Sequence, residues 1–329
     1  MALPSWLSPP WRGLALQDAT TAFGSQALTR RRTTSERTSH DGLRLVARTW
    51  MPEEGASLHA VVVIAHGLSE HGDRYGRLAS VLTDRGFAVT APDHRGHGLS
   101  GGRRGHVANT DVYRRDLALH LADARRTFPT LPLVLYGHSM GGVIALDTVL
   151  WLQDRLDAGD AVGDIDPPPS VDGLAVSSPG LGTHADIRPS DWLHRASTLL
   201  SRFAPWLSVP TGIDPQFISR DPRVVADFES DPLVNRRVTP RWYTSFLAMR
   251  RRIRHRAADL RLPTLLMQAG GDRIVQPEAA RRFAESSAGR VAYREFAGLA
   301  HQLHDEPERA EVFAVILAWL DEQILSVAG

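Results

Sequence analysis

Cysteine and lysine are both missing from these 329 residues, so all 38 basic side chains are arginine. The first absence excludes disulfide staples, thiolate metal sites and a cysteine nucleophile. The second excludes Schiff-base chemistry, the lysine of a phosphate-binding P-loop and a serine–lysine dyad. A GC-rich coding bias accounts for the arginine usage. Net charge is also scarce, at +1, which argues against a nucleic-acid partner held by bulk electrostatics. No apolar run approaches the ~18 residues of a membrane span. The stretch from Met1 to Gly13, with Trp6 and Trp11 among prolines, lacks the basic start and continuous apolar region of a secretory signal. What remains is a globular chain, 43% hydrophobic, long enough for one large α/β domain with an insertion or for two ordinary domains.

The apolar pattern supplies the elements. Residues 1–40 carry no steady period and are expected to form a loosely held N-terminal extension. Leu43 to Trp50 alternates like a half-exposed strand, whereas Ala60–Ala65 is continuously apolar, as expected of a strand buried on both faces. Helical spacing at Leu78, Val81 and Leu82, a strand at Phe87–Ala91 and a helix from Val112 to Phe128 follow. Asp154 to Asp172 is acidic and rich in glycine and proline. It lacks the regular alternation of a calcium loop and reads as a solvated surface loop. A strand at Leu174–Val176 comes next, and then the alternation stops. From Leu181 to about Pro240 no strand is evident, before strands resume at Thr264–Met267 and Val291–Tyr293 and a last helix runs from Glu306 to about Leu325. Repeated strand–helix units imply a mostly parallel central sheet with helices on both faces. The expected division is an extension at 1–40, a core at 41–180, a helical cap at 181–240 inserted after the sixth strand, and the rest of the core at 241–329.

The chemistry centres on Gly137-His138-Ser139-Met140-Gly141, which follows the apolar run Leu133–Tyr136 and precedes a helical pattern from Val143 to Trp151. Strand, sharp turn and helix with serine at the apex form a nucleophile elbow. Its glycines let strand and helix approach closely, and the serine is exposed at the carboxyl end of the sheet beside a helix N-terminus. An activated serine needs a base, and the base needs an orienting acid. Asp272 stands in a glycine-rich turn after the strand at Thr264–Met267, and His301 lies in the loop after the next strand. All three lie past the carboxyl ends of parallel strands, where α/β sites assemble. His304 and Asp305 compete for the same roles. His301 is preferred because it comes earlier in the loop. Two backbone donors must hold a developing oxyanion, and the amides of Leu68 and Met140 fit. The pairs His66/His71 and His94/His97 lack a helix presenting them at i, i+4, so no metal site is expected.

His66-Gly67-Leu68-Ser69-Glu70-His71 with Arg74-Tyr75, Asp93-His94-x-Gly96-His97-Gly98-x-Ser100, the elbow itself, and Ala300-His301-x-x-His304 resemble the monoacylglycerol lipase branch of the α/β-hydrolases. Asp231-Pro232-Leu233 is similar to that branch as well. The resemblance runs from about Thr38 to the C-terminus, with two departures. Ser69 stands where a glycine is common, and the first forty residues have no counterpart. The resemblance implies a serine hydrolase that cleaves carboxylic esters through an acyl-enzyme, without a cofactor, on monoacylglycerol or lysophospholipid substrates. A short-chain carboxylesterase, or an aminopeptidase using Glu229 or Asp231 to bind an amino terminus, would use the same three residues. Outside enzymes, the alternative is a hydrolase-fold binding protein without turnover. The expected location is the cytoplasm, with peripheral membrane contact through the cap.

One stretch of the cap bears on substrate. Trp192, Leu193, Ala196, Leu199, Leu200, Phe203 and Leu207 share one face of a helix, opposite Arg195, Thr198 and Arg202. The plain expectation is a lid helix packed on the core. The sharper one is that Trp192, Leu199, Leu200 and Phe203 line an acyl entrance or dock on lipid.

Overall fold

The computed structural model describes residues 32–163, 165 and 167–326. Eight strands make one sheet: β1 (Arg32–Thr38), β2 (Arg44–Trp50), β3 (Ala60–Ala65), β4 (Phe87–Pro92), β5 (Leu133–His138), β6 (Gly173–Ser177), β9 (Thr264–Ala269) and β10 (Val291–Phe296). Their spatial order is β1-β2-β4-β3-β5-β6-β9-β10. The β1–β2 and β2–β4 pairs are antiparallel, and the rest of the ladder is parallel.

The continuous apolar strands divide their side chains between two cores. Along β3, Val61, Val63 and Ala65 join a cluster with α2 (Asp111–Thr127) and α3 (Met140–Ala158). Val62 and Ile64 point the other way, toward α1 (Gly76–Asp84) and α8 (Arg309–Leu320). A strand sandwiched between helical layers has no solvent face, hence no polar alternation. α7 (Pro277–Glu285) follows β9 and adds Ala280 and Phe283 to the first cluster.

Three expectations need correction. Arg32–Thr38 belongs to the sheet, as an edge strand paired with β2 in the register Ser35↔Ala47, and not to a loose extension. All seven of its side chains are exposed, so no burial alternation existed to be read. Residues 1–31 lie outside the described residues, including the tryptophans at 6 and 11. The last helix starts at Arg309 instead of Glu306, because Pro307 interrupts the approach and Glu306 is engaged elsewhere. The segment between β6 and β9 is not free of strands: β7 (Val209–Pro210) and β8 (Arg237–Val238) pair as a small antiparallel ribbon.

That segment also holds α4 (Asp191–Phe203), α5 (Pro222–Ser230) and α6 (Pro240–Ile253). α5 and α6 begin with proline behind an acceptor side chain. Asp221 accepts from the Arg223 amide and Thr239 from the Trp242 amide, at 3.0 and 3.2 Å. α6 starts where the core was expected to resume. It packs on α4 through Ser201 Oγ and Thr244 Oγ1, 2.8 Å apart, and on α3 through a bidentate Arg252–Asp147 pair.

Candidate active site

Ser139 follows β5 directly and precedes α3, with φ of 54° and ψ of −117°. A non-glycine residue at positive φ is strained, and the strain is held by what surrounds it. A Cβ on Gly141 would overlap the Ala65 carbonyl oxygen, and one on Gly137 would stand 2.7 Å from the Gly141 oxygen. The motif glycines are therefore required by close approach of backbone to backbone. The Gly180 amide further ties down the turn by donating to the Ser139 carbonyl at 3.0 Å.

The structure brings Ser139, His301 and Asp272 together. His301 Nε2 lies 2.8 Å from Ser139 Oγ, and His301 Nδ1 lies 2.7 Å from Asp272 Oδ2. A carboxylate only accepts, so the proton sits on Nδ1 and Nε2 is free to accept from the serine hydroxyl. Asp272 is held in turn by the amides of Ile274 and Val275, which donate to Oδ1 at 2.8 and 2.9 Å. All three residues are buried. The competing pair stands elsewhere. His304 stacks on Tyr75, with ring centroids 4.8 Å apart, and Asp305 accepts from Arg77 at 2.8 Å.

The Leu68 and Met140 amides have no hydrogen-bond acceptor among the described residues. Met140 is the first residue of α3, where the helix dipole favours negative charge. Ser69, beside Leu68, is buried at φ 63° with its hydroxyl unpartnered among the described residues. Glycine would relieve both costs. Left-handed strain amounts to about 1–2 kcal/mol and an unsatisfied hydroxyl to about 1–3 kcal/mol, against about 0.5–1 kcal/mol of glycine entropy. Ser69→Gly is therefore expected to raise stability by about 1 kcal/mol or more in urea unfolding, and to exceed Ser69→Ala, which keeps the strained φ. An unchanged or lower midpoint for Ser69→Gly would contradict this account.

His66, His94 and His97 in the flanking loops act as structural, neutral rings. His66 donates from Nδ1 to the Gly67 carbonyl at 2.8 Å and accepts at Nε2 from the His94 amide at 2.9 Å. Burial pushes His66 and His94 well below the ordinary imidazole range, and neighbouring histidines push the same way. Burial also lowers His97, to about 4, against the opposing bond that its Nδ1 donates to the Arg95 carbonyl. No cluster of three metal-ligating side chains occurs among the described residues.

A small chamber of about 20 Å³ surrounds Ser139, walled by Leu68, Ile213, Ile218, Phe228 and Ile274 with Gln302. Trp192, Leu199, Leu200 and Phe203 do not line it. The apolar face of α4 points outward instead, with Trp192 and Phe203 each 71% and Leu199 60% exposed. The side turned to α6 is a strip between the two faces, where His194 meets Tyr243 OH at 3.1 Å and Ser201 meets Thr244, while Arg195, Thr198 and Arg202 are exposed as well. The apolar face expected to pack on the core therefore meets solvent.

Several residues of the site carried no sequence signal. Glu306 is fully buried and binds the Ala300 amide at 2.8 Å, Ser219 Oγ at 2.9 Å and Arg220 Nε at 2.7 Å. It thereby pins the segment between β6 and β9 to the loop of His301. Gln302 bridges too: its amide N–H donates to the Ile218 carbonyl at 2.8 Å and its side chain to Glu70 Oε2 at 3.0 Å. Glu70 was visible within its motif, but its partners Tyr75 and Gln302 were not assigned. Asp231 accepts from His71 at 2.7 Å and from the Leu233 amide at 2.8 Å, and Glu229 is exposed. Neither carboxylate stands in the chamber wall.

Comparison with known proteins agrees with this geometry. The family model described as "Serine aminopeptidase, S33" matches residues 56–308. The chain is 31% identical over 281 residues to the monoacylglycerol lipase of Mycolicibacterium smegmatis, covering 85% of this chain and 93% of that one. It is 33% identical over 267 residues to phospholipase YtpA of Bacillus subtilis, covering 80% and 96%. The crystal structure of Paleococcus ferrophilus monoacylglycerol lipase superposes with a TM-score of 0.70 at 29% identity, over 84% of this chain and 98% of that one. Sequence, sheet order and the elbow agree: the chain belongs to this serine hydrolase family of the α/β-hydrolase superfamily, in its monoacylglycerol lipase-like branch.

Proposed function

We propose that the protein hydrolyses carboxylic esters of lipids, with monoacylglycerols as the preferred class and lysophospholipids close behind. The observation that carries this reading is the hydrogen-bonded chain Ser139–His301–Asp272 beneath an apolar wall. Ser139 Oγ attacks the ester carbonyl while His301 Nε2 takes its proton. Asp272 keeps the imidazole in the required tautomer and stabilises the imidazolium. The Leu68 and Met140 amides hold the oxyanion, and His301 returns the proton to the departing alkoxide. Water then repeats the sequence on the acyl-enzyme, releasing the fatty acid. An aminopeptidase reading gains no support from the chamber. Its polar wall residue Glu70 already accepts from Tyr75, Gln302 and the Gly67 amide, and the Asp231 carboxylate is taken by His71.

A panel of monoacylglycerols, p-nitrophenyl esters of rising chain length and aminoacyl amides tests this reading. Turnover of amides above esters would overturn it, as would failure of a fluorophosphonate probe to label Ser139. Each methylene enclosed against the cluster of Ile213, Ile218 and Phe228 is expected to contribute up to ~0.8 kcal/mol, about fourfold in kcat/KM. Phe228→Ser should flatten this climb for long chains and spare butyrate esters. An equal fall at all lengths would assign Phe228 to general positioning.

The outward face of α4 is the proposed membrane contact. No helix among the described residues is long and apolar enough to cross a membrane. Trp192, Leu199, Phe203 and Trp206 form a patch of exposed large apolar side chains suited to the headgroup boundary. Trp192→Ser/Phe203→Ser is expected to weaken binding to zwitterionic vesicles by tenfold or more, leaving p-nitrophenyl butyrate turnover intact. Unchanged vesicle binding would remove this face from membrane contact.

A further inference from the structure

Beside the catalytic chamber, and sharing no wall residue with it, lies a cavity of about 760 Å³ between α4, α6 and α7. Five arginines line it, Arg188, Arg250, Arg251, Arg254 and Arg282, against a single carboxylate, Asp191. We propose that this cavity is a binding site for a phosphate group carried on an organic molecule, held by Arg250 with the arginines around it.

The contrast within α6 carries the argument. Arg252, facing α3, clamps Asp147 with two bonds of 2.7 Å, and just beyond the helix Arg256 clamps Asp154 in the same way. Arg250, Arg251 and Arg254 face the cavity and have no carboxylate partner among the described residues, nor does Arg282 on α7. Arg250 is half-buried, and its guanidinium has one hydrogen-bond partner, Thr183 Oγ1 at 2.9 Å. Burial pushes Arg250 below its ordinary value, and Arg251 adds to that while Tyr243 opposes it. Arg188 pairs with Asp191 at 3.9 Å, which leaves the half-buried Arg250 grouped with Arg251, Arg254 and Arg282, a costly arrangement unless an anion completes it.

The chemistry of that anion follows from number and shape. A carboxylate would neutralise one guanidinium, whereas a phosphomonoester brings about −1.5 to −2 charges and three acceptor oxygens. Guanidinium forks match those oxygens bidentately. The volume exceeds that of a bare ion and falls in the range of small-molecule sites, ~300–1,000 Å³. Leu247 and Phe283 offer apolar wall to an organic portion. The phosphate can come from a soluble phosphate ester or from a lipid headgroup presented by a membrane.

Thermal unfolding and calorimetry with inorganic phosphate and glycerol phosphate, against chloride at matched ionic strength, test the soluble source. Co-sedimentation with phosphatidylcholine vesicles, with and without phosphatidic acid, whose headgroup is a phosphomonoester, tests the lipid source. Arg250→Gln and the exposed pair Arg251→Gln/Arg254→Gln are compared with Arg195→Gln/Arg202→Gln, an equal charge loss on α4 outside the cavity. Circular dichroism confirms folding. The expected result is phosphate-specific binding, in either the soluble or the vesicle arm, that weakens about tenfold or more in the cavity variants and not in the control. Binding in the soluble arm identifies a free phosphate ester, and binding confined to phosphatidic acid vesicles identifies a headgroup. Three outcomes overturn the proposal: no phosphate-dependent effect in either arm, an equal effect of chloride, or equal losses in cavity and control variants.

Discussion

Replacing Ser139 with alanine is expected to lower kcat by at least ~10⁴-fold, about 5.5 kcal/mol of barrier, while the protein stays folded. The nucleophile and its base act as one unit, so removing the hydroxyl leaves only the residual catalysis that oxyanion donors and substrate binding supply. Alanine retains the Cβ and accepts the same backbone geometry under the same restraints, the Gly180 amide on the Ser139 carbonyl and the α3 start. The urea midpoint should therefore move little. Steady-state hydrolysis of a monoacylglycerol and a p-nitrophenyl ester reads the effect. Residual activity within tenfold of wild type would take Ser139 out of the mechanism.

His301→Ala should match that loss, and the double variant with Ser139→Ala should be no worse than either single change, because a unit once broken has no more to lose. His304→Ala provides the contrast. This ring lies buried against Tyr75, remote from Ser139 Oγ in the hydrogen-bond chain, so its removal should cost stability while leaving kcat per folded molecule within about tenfold. Asp272→Asn should lower kcat by ~10³–10⁴-fold by favouring the wrong tautomer of His301. Asp305→Asn disturbs the contacts with Arg77 and His304, away from Ser139, and should be far milder. If His304 or Asp305 proved the more damaging site, the base or acid assigned here would be wrong.

Much of the core was legible because burial leaves a local pattern. The uninterrupted apolar runs of β3, β5 and β9 could only be strands covered on both sides. β1 was missed for the complementary reason. Its exposed side chains, Arg32 to Thr38, take their strand geometry from pairing with β2, whose register, from Thr38↔Arg44 to Arg32↔Trp50, no local period reveals.

The grouping of Ser139, His301 and Asp272 was readable from residue type and from position past strand ends, since glycine spacing and chain order are local properties. What sequence alone determined was therefore the chemistry: a serine elbow, a carboxylate and a histidine on one sheet edge, with no cysteine or lysine to compete. The tertiary structure decided between His301 and His304, because only packing shows which ring reaches Ser139 Oγ and which stacks on Tyr75. It also decided the direction of α4. Amphipathic spacing shows that a helix has two faces but not which is covered, and here His194 and Ser201 meet α6 while Trp192 and Phe203 meet solvent. Glu306 and the lack of a carboxylate partner for Arg250 and Arg251 among the described residues were hidden likewise. Whether a charge has a partner depends on residues distant in the chain, and only the folded chain brings those residues within a hydrogen bond's reach.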